Sequence, residues 1–116
     1  MQISIEDEDE STARVSLTGK LDILGAEDID LPLAALSGRK QNILLDLSGV
    51  SFLASIGIRH LVSAAKAVSR RGGQLILFGP TEVVAEVLGT TGITGIIPTV
   101  VTESEARALL GAAGSP

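Results

Sequence analysis

Two short apolar runs, QNILLDL at residues 41–47 and QLILF at 74–78, constrain the fold of this chain more than any other feature. Each is nearly unbroken and too short for a helix, which marks a strand covered on both faces. Between them, from Ser55 to about Arg71, Ile58, Leu61, Val62, Ala65 and Val68 recur at intervals of three and four. That spacing puts them on one side of a helix. Arg70 and Arg71 fall in its last turn, where cations suit the dipole, and Gly72–Gly73 end it. Strand, helix and strand in this order imply a right-handed crossover between parallel neighbours.

The flanking segments extend this unit. QISIE and ARVSLTG alternate apolar and polar residues, which predicts two antiparallel strands, with the charged DEDEST as a solvated hairpin tip. DILGAEDIDLPLAALSGRK places Ile23, Leu24, Ile29, Leu33 and Leu36 at roughly helical spacing. Pro32 within it predicts a break, or a helix that begins near residues 31–32. Beyond the second buried run, TEVVAEVL predicts a short helix capped by Thr81, and GTTGITG a flexible connector. IIPTVV is a last strand that Pro98 assigns to a sheet edge. TESEARALL closes with a helix whose Thr102 and Glu105 have capping-box spacing. The fold class is therefore α/β: a small mixed β-sheet, with an N-terminal antiparallel hairpin followed by parallel βαβ units, and about four helices. One domain is expected over residues 1–111, with a mobile C-terminal tail at 112–116.

Composition narrows the function. A chain of 116 residues suits one domain with a real core. With Phe52 and Phe78 as its two aromatics, that core is aliphatic. No run approaches the ~20 apolar residues of a membrane span, and the N-terminus lacks a signal-peptide pattern, so a cytoplasmic protein without membrane insertion is expected. The absence of cysteine removes disulfides and thiol catalysis. The net charge of −5 comes from one block, Glu6–Glu10. That sign, the lack of an aromatic platform and the single close basic pair Arg70–Arg71 argue against nucleic acid as a partner.

Catalytic and metal chemistry find little support. Ser55 stands at a strand-to-helix turn, but the sequence there is LASIG rather than G-x-S-x-G. His60, the lone histidine, follows five residues later, about 140° away around the helix, so no Ser–His pair forms and His60 reads as a surface or half-buried helix residue. One histidine and no cysteine give no zinc site of the usual kinds, and EDEDE lacks the spacing of a calcium loop. GTTGITG has no G-K-[ST] ending, which leaves nucleotide binding without a phosphate cradle. No cofactor is expected. Ser55 reads as an N-cap, worth about 1 kcal/mol. A phosphate on it would lie at the positive helix end, among Gly49, Val50, Ala54 and Ile56.

VSLTGKLD, followed by ILLDLSGVSFLASIGIRHLVSAAKAVSRRGGQLILFGP and VVAEVLGTTGITGIIPTV, resembles the STAS domain of bacterial anti-sigma factor antagonists over roughly Ile3–Leu110. The resemblance implies a protein-binding module, not an enzyme. Its motif D-S-[ST]-G carries a serine phosphorylated by a partner anti-sigma factor that is itself a serine kinase, and a serine phosphatase resets the switch. Ser55 matches the phosphorylated position and Gly57 the glycine, while Ala54 and Ile56 depart from the aspartate and second hydroxyl. The partner surface so implied comprises Asp22, Asp46, Ala54, Ser55, Ile56, Gly57 and Ile58, with Asp22 and Asp46 as acidic positions near the phosphoacceptor. The departures keep a second reading open: a constitutive STAS subunit of a signalling or phospholipid-transport complex, without phosphorylation. An edge strand and aliphatic surface leave room for a homodimer.

Overall fold

β1 (Gln2–Asp7) and β2 (Thr12–Leu21) form the expected antiparallel hairpin, paired from Gln2↔Thr18 to Asp7↔Ala13. There follow α1 (Ile23–Arg39), β3 (Asn42–Leu53), α2 (Ser55–Arg70), β4 (Gln74–Phe78), α3 (Glu82–Thr90), a 3-10 turn (Ile93–Gly95), β5 (Thr99–Val100) and α4 (Glu103–Gly114). This computed structural model describes residues 1–114, with side chains to residue 110. The strands lie in sequence order, β1-β2-β3-β4-β5, and all pairs after the first are parallel. Crossovers that always step the same way and share one hand put their helices on the same face.

On that face Leu17, Leu21, Ile29, Leu36, Leu45 and Leu61, all 0–1% exposed, form the main core. Each contributes ~1.5–3 kcal/mol by leaving water. α4 lies on the opposite face, over a smaller cluster of Leu44, Ile76, Phe78 and Ala106. Charges also hold it. The Arg107 guanidinium donates to Glu8 of the hairpin loop at 2.9 and 2.5 Å and to Glu103 at 2.7 Å. Arg14 of β2 reaches Glu103 at 3.0 Å and Asp46 at 3.2 Å, and lies 5.4 Å from the centre of the Phe78 ring. The acidic hairpin tip is thus engaged rather than simply solvated: Glu8 is held by Arg107, and Asp9 accepts backbone N–H groups of Ser11 and Thr12.

Three expectations need correction. Pro32 neither breaks α1 nor starts it, because complete burial of Ile29, Leu33 and Leu36 outweighs the missing N–H bond. Ile23 and Leu24 do not join that buried stripe but are 69% and 70% exposed. The connector after α3 contains a turn of 3-10 helix that buries Ile93. α4 continues through Gly114, so the tail expected at 112–116 overlaps its last turn, and Ser115 and Pro116 lie outside the described residues. Thr81 caps α3 as expected, accepting from Val84 N–H at 3.3 Å. Thr102 accepts from Glu105 N–H at 3.1 Å, and its hydroxyl donates to the Glu105 carboxylate at 3.0 Å.

β3 is longer than its apolar run. Its pairing with β4 stops at Asp46↔Phe78, whereas its pairing with β2 continues through two register shifts to Leu21↔Leu53. SGVSFL, beyond the apolar run, is also strand, and the β2–β3 pair projects past the end of β4.

Candidate functional site

The projecting ends of β2 and β3 turn directly into α1 and α2, so two helix N-termini stand side by side at the carboxyl edge of the sheet. Asp22 is the N-cap of α1, and its carboxylate accepts the Gly25 N–H at 2.9 Å. The equivalent position of α2 is Ala54, with extended backbone at φ −99° and ψ 166° and no side-chain cap. This corrects the reading of Ser55 as N-cap. Ala54 N–H still bonds to Leu21 C=O at 2.9 Å, in continuation of the strand ladder, while Ala54 C=O already accepts from Ile58 at 3.1 Å. The ladder delays the helix by one residue, and Ser55 becomes its first.

Ser55 is exposed, and its hydroxyl has no hydrogen-bond partner among the described residues. Ile56 is half-buried, and Ile58 packs partly buried against the main core. Gly57 is buried, and a Cβ on it would stand 2.5 Å from Leu21 Cγ and 3.0 Å from Leu21 C=O. Glycine there lets the first turn of α2 rest directly on the end of β2. Arg59, exposed one turn after Ser55 and on the same side of the helix, has no ion pair among the described residues. His60 is half-buried, its Nδ1 3.4 Å from Asp30 Oδ1 on α1, so it links the two helices rather than serving Ser55.

Asp46 is not brought to this site. Because β3 runs on to Leu53, Asp46 lies about 20 Å back along the strand. There it takes Arg14 at 3.2 Å and Ser48 N–H at 2.9 Å. Three exposed apolar residues on the elements that meet at this edge escape sequence reasoning. Ile23 and Leu24 open α1, and Phe52, 46% exposed, lies near the end of β3 on the side opposite the buried Leu53. Their spacing in the sequence groups Ile23 and Leu24 with the buried stripe of α1, which hides their exposure. Among the described residues, no three metal-ligating side chains gather and no helix is long and apolar enough to cross a membrane. The chemistry on offer is an exposed hydroxyl at a helix start whose amides no side chain satisfies. Such amides favour an anion.

The STAS domain profile matches residues 5–106 of this chain. The chain is 29% identical over 100 residues to the anti-sigma-B factor antagonist of Listeria monocytogenes, covering 84% of this chain and 88% of that relative. An anti-sigma-factor antagonist (STAS) domain protein from Planctomyces limnophilus superposes with a TM-score of 0.77 at 27% identity, covering 97% of this chain and 98% of that one. The unphosphorylated form of the anti-sigma factor antagonist SpoIIAA shares the fold, with a TM-score of 0.80, 22% identity, and 96% and 97% of the two chains covered. With this sheet order, these helices and a profile match spanning most of its length, the chain belongs to the STAS domain family.

Proposed function

We propose that this chain is an anti-sigma factor antagonist, a binding protein whose Ser55 turn docks on an anti-sigma factor serine kinase and is released when that kinase phosphorylates Ser55. A serine phosphatase restores the docking form. The observation that carries this reading is the exposed, unbonded Ser55 hydroxyl at the uncapped start of α2, on the sheet edge where α1 begins with the exposed, apolar Ile23 and Leu24. The names of the Listeria and Planctomyces relatives support it. A phosphate on Ser55 brings a charge near −2, which the free amides of α2 and the Arg59 guanidinium one turn on would favour in the free chain. In a complex it would be taken out of water, where desolvation opposes it. Asp22 serves this surface by capping α1 beside it, and Asp46 acts at a distance from it.

The test is capture of partners from native lysate on wild-type, Ser55→Ala and Ser55→Asp baits. A kinase-type ATPase held by the first two and lost from Ser55→Asp, with affinity down at least about tenfold, is expected. Equal retention on all three would overturn the switch. It would favour the second reading, a constitutive docking module, which the apolar Ala54 and Ile56 in the motif also favour. In that case a charge placed at Ile56 or Ile58 would disrupt the complex while Ser55 variants would not.

A further inference from the structure

The cations of this chain are unevenly engaged. Arg14 and Arg107 are held by carboxylates, and Arg39 and Lys40 both reach Asp7. Arg71 donates to the carbonyls of Ser37 and Lys40 at the end of α1. Arg59, Lys66 and Arg70 of α2 are exposed and have no ion pair among the described residues. At 100° per residue these three lie within about 60° of Ser55, in a stripe about 17 Å long from Arg59 to Arg70. It runs opposite the buried Leu61, Ala64 and Val68. α2 holds no carboxylate at all, although the chain carries a net charge of −5. Local helix physics does not account for that bias. Lys66 and Arg70 stand four residues apart, where like charges repel, and Arg59 sits toward the positive end of the dipole. Beside the stripe, Ser63 and Ala67 line a groove of about 240 Å³ shared with Ala34 and Gly38 of α1. Its walls are small, and a Cβ on Gly38 would meet nothing within 4 Å.

We propose that the outer face of α2 docks an acidic helix of a partner protein, seated along the α1–α2 groove with its carboxylates on Arg59, Lys66 and Arg70. Charge decides the occupant. Three cations in single file, seven and four residues apart, fit carboxylates that recur at the same spacings on one side of a second helix. A nucleic acid or an anionic membrane presents more phosphates than three cations neutralise, and the net charge of −5 repels both. Pairing of α2 with α2 in two copies would set like charges together. The proposal rests on α2 being the docking element of the Ser55 reading, but not on phosphorylation. It also gives that switch a further cause. Against an acidic partner, a phosphate on Ser55 meets carboxylates at the end of the stripe and engages Arg59, one turn away, for itself.

Amide NMR spectra of the isotope-labelled full chain, titrated with two synthetic helical peptides of one composition, test it. The first carries its glutamates seven and four residues apart on one side; the second has the same glutamates spread around the helix. At low ionic strength the first is expected to shift the amides of Arg59, Ser63, Lys66 and Arg70. It should bind at least about tenfold tighter than the second, an advantage that fades as salt rises. The triple variant Arg59→Glu, Lys66→Glu, Arg70→Glu should lose this binding and take up a peptide with lysines at the glutamate positions, a gain that a misfolded chain could not make. No binding of the first peptide up to about millimolar concentration, equal binding of both peptides, or shifts confined to other elements would each overturn the proposal. So would tighter binding of a DNA duplex or of anionic lipid vesicles. Ser55→Asp separates the two readings, since an acid at the end of the stripe should weaken the first peptide about threefold. A captured kinase lost from Ser55→Asp but held equally by the triple variant would sink the acidic helix and leave the switch standing. Loss from the triple variant alone would do the reverse.

Discussion

The decisive residue pair is Ser55 and Gly57, and each owes its character to β2. Leu21 C=O draws the Ala54 N–H into the ladder and so leaves Ser55 without a capping duty. Leu21 also fills the space where a side chain on Gly57 would go. Gly57→Ala should therefore cost about 1–3 kcal/mol of stability, read from urea denaturation, because the contact at 3.0 Å is with backbone that cannot step aside. An effect below about 0.5 kcal/mol would mean that α2 can lift off Leu21. The glycine was legible in the sequence as part of a motif, but the reason for it was not. That reason lies in a neighbouring strand thirty-odd residues away.

Among the elements, α4 is attached differently from the rest, by a small apolar cluster and a web of carboxylates and guanidinium groups. The hydrogen bond from Arg107 holds the Glu8 carboxyl below its usual 4.5. Bonds from Arg14 and then Arg107 do the same for Glu103. Since these folded-state values are depressed, their stabilisation is complete above the unfolded value and is lost as pH falls through the folded ones. Amide exchange in α4, corrected for intrinsic rate, should match that of β3 in its pH dependence above about 4.5 and accelerate relative to it below. Glu8→Gln should abolish much of that difference; no acceleration would show that the apolar cluster alone fixes the helix. The helices themselves were readable in sequence wherever apolar spacing and a hydroxyl cap agreed, as at Thr81 and Thr102. Two things escaped that kind of reading. Burial carried α1 through Pro32, and pairing with β2 carried β3 through SGVSFL, which moved Asp46 away from the site it had been expected to join.

At the scale of the whole molecule, the sheet order follows from one-directional right-handed crossovers, which load α1, α2 and α3 on one face and leave the other to α4. A chain ended after Thr102 would uncover Leu44, Ile76 and Phe78, all at most 4% exposed. It should bind a hydrophobic dye and lose about 2 kcal/mol or more, lowering Tm by roughly 10 °C; an unchanged Tm would mean that α4 contributes nothing to the fold. The same sheet narrows from five strands to two where β3 outruns β4. Overall dimensions of 38 × 25 × 21 Å reflect a long axis. Ser55 rides the tip of that taper, like a lamp on a headland. An enzyme with a deep cleft can close around a tip, whereas the same hydroxyl on the broad α1–α2 face would admit only flat contact.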